Sequence, residues 1–226
     1  MGGNVKVDYV DHMGDDISVV NAARVSFASQ SDLIGFNLDN TPILNTRDEK
    51  LINFLAEHGH WSPFAHAVLT FRVKAPIFVA RQLAKHQVGL AWNEISRRYV
   101  DYEPELYWPE KWRKRADNLK QGSSQEEYKN PSLFIDLEED CEYHVRAYRH
   151  LIEDGLCPEQ ARMFLPQNTY TEWIWTGSLY AFHRVVSLRT DPTAQQETKE
   201  IALQISEHCG KLFPYSWKAL QGAKHE

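Results

Sequence analysis

Between Ala67 and Lys74 the chain alternates, with Ala67, Leu69, Phe71 and Val73 on one side and Val68, Thr70, Arg72 and Lys74 on the other. A period of two is the pattern of a half-buried strand. It stops at Pro76, whose fixed φ and missing N–H suit the first turn of a helix. The sequence IFVARQLAKH then predicts that helix over 77–86. On it Arg81 and Lys85 share one stripe, while Gln82 and His86 lie four apart on a neighbouring one. A strand that runs straight into a helix, with helical periods elsewhere in the chain, gives an α+β fold class.

The remaining elements follow from the same rules. Val5 to Val10 reads as an early strand, and a short helix follows near Ile17 to Val25. Residues 40–45 read as loop. Thr46 and Glu49 have capping-box spacing before LINFLAEH, in which Leu51, Ile52 and Leu55 form one apolar face and Gly59 ends the helix. Gly89 ends the helix that starts near Pro76, which puts WNEISRRY on a loop. From Tyr102 to Pro131 the mixture of Pro104, Pro109, KWRKR and GSSQEEYKNP predicts an irregular excursion over 100–131. Ser132 opens a long helix to Asp154, burying Leu133, Leu137, Cys141, Val145, Tyr148 and Ile152 and exposing Glu138, Glu139, Glu142 and Arg146. Gly155 closes it, and Pro158 starts a turn carrying ARMFLP. WIWTGSLYAFHRVVSL reads as buried and largely helical. Asp191 and Pro192 read as the cap and first residue of the helix through AQQETKEIALQISEHCGKLF. There are no repeats and no low-complexity linker, so residues 1–226 are expected to form one compact α+β domain.

At 226 residues the chain can bury a core without metal or disulfide staples. Its net charge of −6 offers no global attraction to nucleic acid or an anionic membrane, so any phosphate chemistry must be local. No run approaches the roughly 20 apolar residues that span a bilayer. The start, MGGNVKVDYVDHMGDD, has neither a signal-peptide core nor the Ser or Thr of a myristoylation signal. Cys141, Cys157 and Cys209 are odd in number and lack CxxC spacing, which points to a cytoplasmic protein with no disulfide framework and no structural zinc. Seven Trp, ten Tyr and ten Phe are an unusual load. They serve core and interface packing or a stacking surface for a planar ligand, and composition does not separate the two.

Charge reverses locally. Arg72, Lys74, Arg81, Lys85, Arg97 and Arg98 stand against Glu94 alone over 72–98, a balance of +5. Such a segment suits a phosphorylated ligand, unless it is spent on pairing with the chain's own acids. Arg162 and Arg189, each beside apolar residues, extend it, because a largely buried guanidinium must find an anion or several acceptors. Asn93, Glu94 and Ser96 have the donors and acceptors to read a planar base. His58, His60 and His66 surround a WSPF turn but lack HExxH spacing or a completing carboxylate, so no metal site is expected. GxSxG, GxGxxG and GK[ST] loops are absent. The three thiols read as structural.

Taken in order, AARVSF at 22–27, HGHWSPFAH at 58–66, TFRVKAPIFVARQLAKH at 70–86, NEISRRY at 93–99, ARMFLP at 161–166 and SLRTDPTAQ at 187–195 resemble the flavin-dependent thymidylate synthases. The likeness covers most of the chain outside 100–130. The family signature usually opens Arg-His-Arg; here it opens Lys85-His86-Gln87, with one more residue than usual between His86 and Asn93. Thr193 stands where a His is common.

The resemblance implies a central, mostly antiparallel sheet with long packed helices. It also implies reductive methylation of dUMP to dTMP, with carbon from methylenetetrahydrofolate and reductant from NADPH through bound FAD, and no covalent cysteine nucleophile. By position, Gln82, Glu94, Ser96, Arg97, Arg98, Arg162 and Arg189 match the nucleotide site. Arg98 and Arg162 would hold the phosphate or orient it, Ser96 would orient the substrate, and Arg189 would act on the pyrimidine as the first catalytic choice, with Ser96 and Arg98 beside it. His60, Arg81, Lys85, His86, Gln87, Asn93, Glu94, Ser178 and Arg184 match cofactor positions, and His60 and His86 also bear on folate. The implied assembly is a homotetramer with intersubunit active sites and no membrane or nucleic-acid partner. Two alternatives stand beside this one: a non-catalytic nucleotide- or nucleic-acid-binding protein, and a degenerate family member that binds flavin without methylating.

Overall fold

The computed structural model describes residues 3–38, 41–117 and 122–223. Strand β1 (Lys6–Met13) is followed by α1 (Asp16–Arg24), the short pair β2 (Gly35–Phe36) and β3 (Pro42–Ile43), and α2 (Thr46–Glu57). Then come β4 (Val68–Pro76), α3 (Ile77–Leu83), β5 (Leu90–Glu94), the hairpin β6 (Arg113–Arg115) and β7 (Ser123–Glu127), and α4 (Pro131–Glu153). The chain ends with α5 (Pro158–Ala161), β8 (Tyr170–Ser178), α6 (Leu179–Arg189), α7 (Gln196–Leu212) and α8 (Pro214–Gly222).

The class is α+β, as expected, and the main sheet has the order β1-β4-β8-β5. Its direction is readable from individual contacts. Thr70 meets Thr176 at 3.0 Å, while further along the N–H of Ile77 bonds the carbonyl of Thr169. Likewise the N–H of Ser178 bonds Gly89 and that of Ile95 bonds Glu172. In both pairs the partner numbers fall as the residue numbers rise, so β4 with β8 and β8 with β5 are antiparallel. The small pairs β2 with β3 and β6 with β7 are antiparallel too.

Two compact units share the chain. One comprises Met1–Lys6, Val73–Lys85 and Asn93–Trp173; the other comprises Val7–Arg72, His86–Trp92 and Ile174–Glu226. In the second, Trp175 stands edge-on to Phe182 at 5.5 Å and to Trp92 at 5.5 Å, and Phe71 meets Phe182 at 5.0 Å. Offset aromatic pairs of this kind add to the apolar burial itself. In the first, α4 buries Val145 and Tyr148 and packs on α5.

The alternation at β4 is as predicted, with Leu69, Phe71 and Val73 buried. Several other expectations are corrected. The cap of α2 is Asn45, which is extended and accepts from the Asp48 N–H at 2.9 Å, so Thr46 is already the first helical residue. Within 40–45, Pro42 and Ile43 pair with Gly35 and Phe36, and Asn40 lies outside the described residues. Helix α3 stops at Leu83, because Lys85-His86-Gln87 has nothing apolar to continue the stripe of Val79, Ala80 and Leu83. Lys85 and His86 are therefore not helical. Trp92, Asn93 and Glu94 belong to β5 and not to a loop.

The stretch 173–178 is strand where helix was expected: Trp173 and Trp175 point inward with Ile174 exposed between them. Asp191 does not cap α7. Its carboxylate takes the Thr193 N–H and hydroxyl in the preceding loop, and α7 starts five residues later. Helix α4 begins at Pro131 under an Asn130 cap, and Leu133 and Ile135 in its first turns stay exposed. The 100–131 segment contains the β6–β7 hairpin and an isolated bridge from Leu106 to Thr169. Among the described residues no helix is long and apolar enough to cross a membrane.

Candidate active site

The residues singled out in the sequence divide between the two units. Arg81, Gln82, Lys85, Asn93, Glu94, Ser96, Arg97, Arg98 and Arg162 fall in the first; His60, His86, Gln87, Ser178, Arg184 and Arg189 fall in the second.

In the first unit, Glu94 ends β5 and its carboxylate accepts from the Thr171 hydroxyl at 2.7 Å, which fixes it against β8. Just beyond, Ser96 Oγ accepts from Arg98 Nε at 3.2 Å, so the two side chains form one group. The Arg98 guanidinium lies 4.9 Å from the Tyr99 ring centre, and Arg97 lies 4.4 Å from that of Tyr102 while bonding the Tyr102 carbonyl. An aromatic face holds a guanidinium without cancelling its charge. Lys74 is different, since it pairs with Glu105 and is spent on the fold. Among the described residues Arg81, Lys85, Arg97, Arg98 and Arg162 have no carboxylate partner. Much of the predicted cation excess thus remains open to an anion. Arg162 sits in the turn after α5, exposed, with Nε on the Glu159 carbonyl at 3.3 Å. The expectation of a largely buried Arg162 is corrected.

In the second unit, Arg189 closes α6 half-buried, and its Nε donates to His86 Nε2 at 2.9 Å. Burial, then the charge of Arg189, then that of Arg184, push the His86 imidazole below its ordinary value. Burial also lowers Arg189 from the usual guanidinium value. Ser178 accepts from the Ala181 N–H at 3.2 Å and so caps α6. Gln87 and Arg184 are exposed. Gln87 opens a tight turn whose third residue, Gly89, has φ +75. The Gly89 carbonyl accepts from the Ser178 N–H at 3.3 Å.

His60 lies elsewhere in this unit, on the wall of a cavity of about 1230 Å³. Its ring stands edge-on to Phe54 at 5.8 Å, and Trp61 continues the aromatic wall. Arg24, Arg47 and Lys50 supply cations. Arg24 is already bound by the fully buried Asp48, whereas Arg47 and Lys50, three apart on α2, are exposed. Sequence reasoning missed these wall residues. The available signal was the spacing of Arg47 and Lys50, which puts both on one helical face ahead of HGHWSPF.

Two of the three thiols, Cys141 and Cys209, are poor nucleophiles, while Cys157 is exposed. Cys141 is half-buried, its Sγ 3.9 Å from Asn168 Oδ1, and burial pushes it up; burial raises the fully buried Cys209 as well. A thiol held protonated does not attack.

A family model described as thymidylate synthase complementing protein matches residues 8–215. The chain belongs to the flavin-dependent thymidylate synthases, a family of methyltransferase enzymes. It is 38% identical over 213 residues to the flavin-dependent thymidylate synthase of Thermosipho africanus, covering 93% of this chain and 88% of that one. To the enzyme of the same name from Thermus thermophilus it is 39% identical over 215 residues, covering 95% and 75%. Among solved structures, the UMP/dUMP methylase PolB from Streptomyces cacaoi, bound with 5-Br dUMP, superposes with a TM-score of 0.83 at 28% identity, covering 98% of this chain and 97% of that one.

Proposed function

We propose that this protein reductively methylates dUMP to dTMP in the cytoplasm, using methylenetetrahydrofolate as carbon donor and NADPH as reductant through FAD, without a covalent cysteine. The observation that carries the reading is Arg189. Its Nε is tied to His86 and its side chain is half-buried, and its two terminal nitrogens have no protein acceptor among the described residues. A desolvated guanidinium with a free fork suits charge that develops on a substrate.

Methylation at C5 of uracil requires negative charge to build on the ring, and Arg189 stabilises that charge. Arg98, oriented through Ser96, and Arg162 hold the phosphate. Gln82, Glu94 and Arg97 complete the nucleotide contacts, with Glu94 fixed by Thr171. A bound flavin supplies the redox chemistry that turns the transferred one-carbon unit into a methyl group. The residues fit such a group: the cavity beside His60 exceeds the roughly 300–1,000 Å³ of an ordinary ligand pocket and combines aromatic walls for a planar ring with cations for phosphates. His60, Arg81, Lys85, His86, Gln87, Asn93, Glu94, Ser178 and Arg184 are the cofactor contacts of this reading. Exposed Val25, Phe27 and Trp61 support assembly into a homotetramer with sites completed between subunits.

The test mixes the purified protein with FAD, NADPH, methylenetetrahydrofolate and dUMP and follows dTMP by mass spectrometry. Absence of dTMP while flavin stays bound and reducible overturns the reading. UMP in a parallel arm separates a thymidylate synthase from a broader UMP/dUMP methylase. Arg189→Ala is expected to lose far more turnover than dUMP affinity, and equal losses would make it an anchor instead. Cys141→Ser is expected to retain turnover.

A further inference from the structure

His86 and Arg189 are 103 residues apart in sequence and bonded in space. An Nε–H donor at 2.9 Å needs an acceptor lone pair, which an imidazole offers only at its unprotonated nitrogen. His86 must therefore be neutral, with its proton on Nδ1. Because the guanidinium is planar, fixing Nε fixes the plane in which both terminal nitrogens are presented. The 86–89 segment holds α6 at both ends, with Gly89 accepting from Ser178 at its start and His86 from Arg189 at its finish.

We propose that His86 is the positioning residue for Arg189, holding the guanidinium in its working plane while neutral and releasing it when protonated. This rests on the reading of Arg189 as the group that acts on the pyrimidine. Protonation would replace an acceptor with a second donor and put two cations face to face. The charges bearing on His86 are both arginines of α6, Arg189 and Arg184, with Lys85 beside it in sequence, and burial acts in the same direction. The imidazole is thereby kept in its accepting form at neutral pH. Among the described residues no group accepts from Nδ1–H, which leaves it to serve a ligand, so the role is compatible with cofactor contact.

The test compares wild type, His86→Ala and His86→Gln, since a glutamine carbonyl can accept the same N–H but cannot be protonated near neutrality. His86→Ala is expected to lower kcat by about tenfold to a hundredfold, with KM for dUMP changed less than about threefold, as misplacing a catalytic group does. His86→Gln should recover most of that loss and flatten the acid limb of kcat, which in wild type falls at a pH below the ~6.5 of an ordinary imidazole. Nitrogen NMR of the substrate-free protein should find His86 neutral, with Nδ1 protonated, at pH 7, and Arg189→Ala should raise the pH at which it titrates. An acid limb unchanged in His86→Gln, a glutamine variant no better than alanine, or a charged His86 at pH 7 overturns the proposal. The NMR arm needs no turnover. If wild type makes no dTMP, the functional reading fails while the pairing is still decided.

Discussion

Asp48 offers the sharpest test of the fold's electrostatics. Its side chain is completely buried, and it accepts from Arg24 Nε at 3.0 Å and Arg24 Nη2, from Ser31 Oγ at 3.0 Å and from Asn45 Nδ2 at 2.6 Å. Arg24 is only 13% exposed. Asp48→Ala strands that guanidinium with little water to replace the carboxylate, and breaking a buried pair from one side costs about 3–5 kcal/mol. At roughly 2–4 °C per kcal/mol for a chain of this size, the midpoint of thermal unfolding should fall by about 6–20 °C. Ser31 and Asn45 lose partners too, but each is only half-buried and water can reach it. Removing the stranded charge should relieve the damage, so Arg24→Ala/Asp48→Ala should be no less stable than Asp48→Ala alone. Urea and thermal unfolding at one fixed protein concentration measure both effects. A single-mutant loss under about 1 kcal/mol, or a double mutant equal to the sum of the singles, would refute the buried-pair reasoning.

Two further substitutions probe the frame of the site. Gly177→Ala places a Cβ 2.8 Å from the Gly89 carbonyl oxygen and into Leu90 Cδ2. The side chain can yield but the backbone must shift, so a loss of about 1–3 kcal/mol is expected in urea melts, and a loss below about 0.5 kcal/mol would count against it. Asp16→Asn tests a buried carboxyl that accepts from the Tyr215 and Ser216 N–H groups at the start of α8. Burial raises it from 3.8 despite those bonds. Between 3.8 and its raised value the folded state keeps a proton that the unfolded chain has lost. Asp16 thus contributes most below 3.8, and that contribution fades as pH rises through the folded value. The asparagine variant should gain on wild type as pH climbs through that window, and a wild type that gains on it would refute the assignment.

Where one physical signal dominated, the sequence was legible. The period of β4 and a helix directly after Pro76 were readable because alternation and a fixed φ leave few choices, although Pro76 itself is the extended cap that ends β4, not the first helical residue. At 173–178 two aromatics two apart sit inside a continuous apolar run that continues into α6, and such a run fits a buried helix as well as a strand. The pairing that favours the strand, seen where the Ser178 N–H meets the Gly89 carbonyl and the Ile95 N–H meets Glu172, is tertiary. The early stop of α3 hid the most informative pair: placed on a helix, His86 sits above Gln82, and nothing local links it to a residue beyond position 180. The cation cluster was legible as a count, but only packing distinguishes Lys74, neutralised by Glu105, from Arg98, held on an aromatic face.

The turn from Gln87 to Leu90 has a consequence for comparing this chain with its relatives. By the resemblance to the family signature it lies within an interval, His86 to Asn93, that would run one residue longer than usual, and Gly89 there takes a backbone conformation that few other residues tolerate. A local kink is the cheapest place to absorb an extra residue, because β5 on one side and α3 on the other keep their own registers. Correspondence with a relative should therefore be counted forward from α3 as far as His86 and backward from β5 as far as Asn93. A substitution carried over by plain numbering across the turn would land one residue off, and in a strand that places it on the opposite face of the sheet.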